Sequence, residues 1–200
     1  VNTGSYLQDP DRIVSVVKEL YKELMMELKL WTGEHETRKD MTLAGVGISS
    51  QMHGILYTDS MGKAATPLYT WKNEDGNKEY RDGLTYARYL TKKTGLPFYT
   101  GYGSVTHFYL QETGQIPDNA AAFVGIGDYL AMQLTGSRKA VVHKTMAASF
   151  GGCHLEDGRF DLKKLAAAGV DISYYPVVAG AKDLTAGSMK VESETDLPGG

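Results

Sequence analysis

A single cysteine, Cys153, stands in 200 residues. No internal disulfide can form, and a cytoplasmic setting is favoured over a secreted one. No apolar run approaches the ~18 residues of a membrane-crossing helix. The opening Val1–Tyr6 has neither the basic start nor the apolar stretch of a signal peptide. Positive charge is also scarce: 21 basic residues against 24 acidic ones give a net charge of -3. That leaves no electrostatic footprint for nucleic acid or an anionic membrane.

Several catalytic signatures are missing as well. There is no G-x-x-x-x-G-K-[ST] phosphate loop, and Gly45-Val46-Gly47 begins like a dinucleotide fingerprint but continues Ile-Ser-Ser. The five histidines show no H-E-x-x-H spacing, and one cysteine argues against a zinc site. The G-x-S-x-G elbow of one hydrolase class is absent.

What is present reads as an ordinary soluble globular protein, 42% hydrophobic and 22% charged. Its length suits one domain or part of a larger protein. Asp9-Pro10 caps and opens a helix to about Leu30, with Ile13, Val16, Val17, Leu20, Leu24 and Leu28 on one face. The run from Leu43 to Ile48 predicts a buried strand ending at Ser49. A second strand follows at Ile55–Thr58, then a turn at Asp59–Gly62 and a third strand at Pro67–Trp71. The sequence predicts helices over 77–94, 106–112, 127–136 and from the 155–161 turn through Ala168, with a short strand at 121–124. Alternating helices and strands define an α/β fold. Such sheets bind ligands beyond the carboxyl ends of their strands, which places Ser49-Ser50-Gln51-Met52-His53-Gly54 at a ligand-binding position.

The candidate residues each have two readings. His53 could bond a ligand or act in acid–base chemistry, or be satisfied by neighbouring backbone. Gln51 could bind hydroxyls or shape its own turn. Trp71, ahead of Asn73, Glu74 and Asp75, could wall a sugar site or belong to the core. Asp128-Tyr129 could be a functional pair, or a helix-start aspartate beside a core tyrosine. Cys153 reads as a small buried filler.

Taken in order, the segments resemble the FGGY carbohydrate kinases. The resemblance rests on GVGISSQMHGILYTDSMGKAATPLYTWKN, FVGIGDYLAMQLTG, YLQDPDRIVSVVKEL, AASFGGCHLEDGRFD and AGSMKVESETDLPGG. Gln-Met-His-Gly is similar to the xylulokinase-like branch; LYTWKNEDGN and GYGSVTHFYL resemble its sedoheptulokinase-like members. The resemblance implies a ribonuclease H-like domain of the actin and sugar kinase superfamily. The chain would be most of the N-terminal sugar-binding domain, incomplete at both ends. ATP and Mg²⁺ would serve the complete protein, which would phosphorylate a terminal hydroxyl of a ketose such as xylulose or sedoheptulose.

On that resemblance Gln51, Met52 and His53 contact the sugar, Trp71 walls the pocket, and Asn73 and Asp75 lie close by. Here Trp71-Lys72-Asn73 replaces the family's Trp-x-Asp, so the acidic role is lost or displaced to Asp75. Lys144 stands where the family often has an aspartate. The phosphate turn is expected before Val1 and the general-base aspartate beyond Gly200, so the 200-residue chain alone is expected not to transfer phosphate. The expected partner is a small-molecule sugar, with no nucleic acid, no membrane, and a homodimer held open. The alternative function is a non-catalytic carbohydrate-binding or regulatory module with a kinase-derived pocket.

Overall fold

A computed structural model describes residues 6–33, 43–154, 156, 158–180 and 186–188. The first strand, β1 (Leu7–Gln8), leads into α1 (Pro10–Gly33). Asp9 Oδ1 caps this helix as expected, accepting the N–H groups of Asp11 and Arg12 at 3.0 Å each. The helix is held by α4 (Ile126–Thr135), where Tyr129 Oη donates to Asp11 Oδ1 at 2.5 Å and Val14 is buried. The buried stripe is therefore rotated from the expected one, and Val16, Leu20 and Leu24 are exposed.

The strand expected over 43–48 does not form. This stretch has no ladder partner among the described residues, and Leu43, Val46 and Ile48 are exposed. Apolar, β-branched composition favours a strand, but pairing is what makes one. The end of the stretch is held instead by a close approach to the start of α4, where a Cβ on Gly127 would collide with Ser50 Oγ.

Next come β2 (Leu56–Asp59), β3 (Leu68–Tyr69), β4 (Glu79–Arg81) and β5 (Leu84–Thr85). The helix expected from Asn77 begins only at α2 (Tyr86–Thr94), because a hairpin occupies its first half. Asp82 and Gly83, with φ of 55° and 69°, make the positive-φ turn that Asp-Gly favours between strands. Thr85 then caps α2, accepting the N–H of Arg88. The rest of the chain forms α3 (Gly103–Glu112), β6 (Ala120–Val124), α4 (Ile126–Thr135), β7 (Val141–Val142), α5 (Lys144–Phe150), α6 (Leu162–Ala167) and β8 (Val177–Val178).

The antiparallel β2–β6 ladder is the centre of the core, pairing Leu56 with Val124 and Tyr57 with Phe123. Side chains alternate across it. Leu56 and Val124 pack with Val14, Leu68, Tyr129 and Met132, whereas Ile55, Tyr57 and Phe123 pack with Leu110, Val142, Ala147 and Phe150. A third cluster joins α2, α3 and α6 through Leu90, Phe108 and Leu165.

Two groups, the buried His107 and the partly buried Asp128, tie this core to pH. His107, on α3, has Nε2 at 2.8 Å from the Asp171 carbonyl and Nδ1 at 2.5 Å from Tyr57 Oη. A carbonyl only accepts, so the proton sits on Nε2 and Nδ1 accepts from the phenol. Burial pushes the imidazole down to about 4. Asp128, at the third position of α4, accepts the Gly125 N–H at 3.1 Å, closing a capping arrangement. Burial pushes its carboxyl up to about 7, against the opposing effect of that hydrogen bond.

The loop before α3 is packed on the stretch after β3. Thr100 Oγ1 donates to the Asn73 carbonyl at 3.3 Å. Gly101 has a φ of +83°, and a Cβ there would collide with the Trp71 carbonyl oxygen. Only glycine allows this backbone-to-backbone approach.

Between about pH 4 and 6.5 the unfolded chain protonates His107 more than the folded one, so this residue makes stability fall on acidification. Asp128 acts in the opposite sense between about pH 4 and 7, because the folded state holds the extra proton. Asp128→Asn should therefore leave a steeper loss of stability on acidification from pH 6.5 to 4 than the parent shows. Urea midpoints across that range check it, and parallel pH profiles for the two proteins would count against it. Gly101→Ala should destabilise by more than the ~1–2 kcal/mol of left-handed strain alone. Gly83→Ala, also at positive φ but with open space around its Cβ, should show that strain alone, and equal urea stabilities for the two variants would contradict the Trp71 contact.

Candidate functional site

Gln51, Met52 and His53 stand on the turn that enters the core ladder. The Gly54 N–H bonds back to the Met52 carbonyl at 2.9 Å, around a His53 φ of 72°. Together these make a γ-turn of the positive-φ hand, which is rare and strained. Gly54 closes the turn against β3, where a Cβ would lie 2.7 Å from the Tyr69 carbonyl oxygen. Ile55 then exchanges backbone hydrogen bonds with Tyr69 at 2.8 and 3.0 Å. The motif is therefore positioned by its C-terminal neighbours, Gly54 and Ile55, and not by a strand before it.

Ser149, near the end of α5, grips His53 at two points. Its Oγ accepts the His53 backbone N–H at 3.2 Å, and its carbonyl lies 2.5 Å from Nδ1. Because the carbonyl can only accept, Nδ1 carries the proton and Nε2 of the neutral ring is left as an acceptor. Ser149 Oγ itself donates to the Met146 carbonyl at 2.8 Å. Tyr102 covers the imidazole, its ring stacked at 4.6 Å between centroids and 6° between planes.

The other candidates occupy neighbouring positions. Gln51 Nε2 donates to Gln8 Oε1 at 3.3 Å, linking the motif to β1, which pairs with the same β3 strand. The Met52 side chain is 54% exposed and Trp71 51% exposed, so neither is a core residue. Lys72 Nζ lies 5.4 Å from the Trp71 ring centroid. Asn73 and Asp75 are buried and bonded to each other: Asn73 Nδ2 donates to Asp75 Oδ2 at 2.8 Å, and the Asp75 N–H donates to Asn73 Oδ1 at 3.0 Å. Asp75 Oδ1 pairs with Lys78 Nζ at 2.6 Å. Chiefly through the Asp75 hydrogen bond, and then that of Tyr109, the lysine is held above its ordinary range.

These contacts form one chain: His53 stacks on Tyr102, the adjacent Gly101 packs on Trp71, and Trp71 leads into the Asn73–Asp75 pair. Tyr102, Ser149 and Gln8 are not singled out by sequence. Gly101-Tyr102-Gly103 and Ala148-Ser149-Phe150 stand inside segments that carry the resemblance, so the signal is present without a role attached. Tyr129 is a fully buried core residue. Cys153 is half-buried, with its thiol 3.6 Å from the His154 carbonyl.

The chemistry of this site is that of neutral hydrogen bonding beside aromatic and thioether surface. Among the described residues no group of three or more histidine, cysteine, aspartate or glutamate side chains could hold a metal ion. No helix among the described residues is long and apolar enough to cross a membrane.

Known proteins resemble this chain in sequence and in fold. The sedoheptulokinase of Mus musculus is 26% identical over 153 residues, covering 68% of this chain and 31% of that protein. A gluconate kinase from Lactobacillus acidophilus superposes with a TM-score of 0.66 at 25% identity, over 86% of this chain and 33% of its own. A ligand-bound xylulose kinase from the same organism gives 0.65 at 25%, again over 86% and 33%. The glycerol kinase of Plasmodium falciparum, solved with ADP, shares the fold with a TM-score of 0.74 at 20% identity, over 96% of this chain and 38% of its own. The chain thus spans about a third of the length of these relatives. The ribonuclease H-like α/β fold expected from sequence is the fold of these sugar kinases. The family model described as the N-terminal domain of the FGGY carbohydrate kinases matches residues 2–196, and the chain belongs to that family.

Proposed function

We propose that this domain holds the sugar of an ATP-dependent kinase acting on a ketose such as xylulose or sedoheptulose. The observation that carries the reading is His53: a strained turn presents its ring with Nδ1 bound to Ser149 and Nε2 left as an acceptor. Backbone strain of this kind costs about 1–3 kcal/mol and is found at binding sites held by their surroundings. In this reading Nε2 accepts a sugar hydroxyl, Gln51 bonds a second one, Met52 packs on the carbon chain, and Trp71 supplies the wall. Asn73 and Asp75 shape the turn that carries Trp71. A site built to bond a hydroxyl rejects analogues that lack it.

The reaction is attack of a terminal sugar hydroxyl on the γ-phosphoryl group of ATP, with Mg²⁺ balancing charge on the phosphates in the complete protein. The residues of this chain bind and orient the sugar; the general base and the nucleotide grip are not assigned to any of them. The proposed setting is cytoplasmic.

Calorimetric titration with a panel of ketoses, polyols and aldoses should find binding by one ketose. His53→Ala should weaken it roughly two- to twelvefold, the range for one neutral hydrogen bond of about 0.5–1.5 kcal/mol, and Trp71→Ala should weaken it as well. Unchanged affinity in both variants would refute the site. Sugar-dependent ADP release from Mg-ATP by the longer protein would separate a kinase from a binding module.

A further inference from the structure

We infer that Tyr102 is a positioning residue that fixes which nitrogen of His53 faces the ligand; the inference rests on the reading that His53 meets the sugar. Tyr102 occupies the N-cap position of α3, yet its side chain makes no capping hydrogen bond. The job of its ring therefore lies elsewhere.

One face of the ring lies flat against the His53 imidazole, at 4.6 Å and 6°. Gly151, two residues after Ser149, leaves room for it: a Cβ at Gly151 would lie 2.8 Å from Tyr102 Cδ2. The Tyr99 ring meets it edge-on at 5.5 Å. Ser104, on the first turn of α3, donates from Oγ to the Gly151 carbonyl at 3.1 Å, so the element carrying Tyr102 is tied to the end of α5. The Ser149 carbonyl and the Tyr102 ring thus constrain the imidazole from two directions. The carbonyl selects the Nδ1–H form, and the parallel ring holds the imidazole in the plane in which Nδ1 meets that carbonyl.

Free histidine favours the opposite, Nε2–H tautomer. An imidazole released from the stack would place a donor where the site now has an acceptor. A sugar hydroxyl can adapt to either, but its neighbours are then read differently. Tyr102 would act on ligand selection through His53 without the need to touch the ligand.

The test uses imidazole ¹⁵N spectra of the ligand-free protein, with His107 as an internal marker of folding. The parent protein and Tyr102→Phe, which keeps the ring, should both show His53 as the Nδ1–H tautomer. Tyr102→Leu should show a mixture with a substantial Nε2–H population, while His107 keeps its Nε2–H form. A His53 that stays wholly Nδ1–H in Tyr102→Leu overturns the inference, because the Ser149 carbonyl then suffices alone. If Tyr102→Leu loses the His107 signature, Tyr102→Met, which refills the volume, takes its place under the same criterion.

A second readout is sugar affinity, expected to fall about two- to threefold in the Leu variant, less than in His53→Ala, and to be unchanged in Tyr102→Phe. Equal affinities of Tyr102→Leu and parent would also overturn the inference. A parent protein that binds no sugar refutes the proposed function instead, and leaves the tautomer experiment to decide the role of Tyr102.

Discussion

A γ-turn with positive φ at a side-chain-bearing residue persists only where its surroundings over-determine it. At His53 they do so through separate contacts. The backbone N–H and the ring both bind Ser149, Tyr102 lies flat on the imidazole, and Gly54 is pressed against the carbonyl of Tyr69. These contacts come from α5, from the loop before α3 and from β3, three parts of the chain far apart in sequence. The candidate site is the place where they converge, and each would lose its target if the turn relaxed.

The same arrangement explains the division of labour around the site. Side chains saturated by one another, Asn73, Asp75 and Lys78, build the turn behind Trp71. The thioether of Met52 and the indole of Trp71 are exposed, and His53, partly buried, keeps Nε2 as an acceptor. In the proposed function, ionised groups serve the structure and neutral ones meet the sugar. That choice suits a polyol, whose hydroxyls are weak donors and acceptors and gain little from a full charge that must first be desolvated.

Much of this is legible in the sequence, and the failures have physical causes. Asp9-Pro10 marks the start of α1, and Gly136 the end of α4, because capping and left-handed termination are local chemistry. The Asp82-Gly83 turn is equally local, but it is hidden beneath a helix-like pattern that takes effect only at Tyr86. The 43–48 run fails as a strand for the opposite reason. Its composition is a local property, whereas its pairing is decided by what lies beside it. The motif Gln51-Met52-His53 is visible as chemistry, but Ser149 and Tyr102 are not, since sequence separations of 96 and 49 residues leave no trace in spacing. Asp75 looks like an available carboxylate, and only the structure shows both of its oxygens occupied.

The position of the turn relative to the core ladder has a consequence for dynamics. Ile55, Leu56 and Tyr57 are fully buried, with packed clusters on both faces and backbone bonds to β3 and β6. Amides in such a segment exchange with solvent only when the whole domain opens. His53 lies two residues ahead of it, on the same backbone. The strained turn is thus continuous with a fully buried segment of the core ladder, which in the proposed function leaves little ordering entropy to be lost on binding.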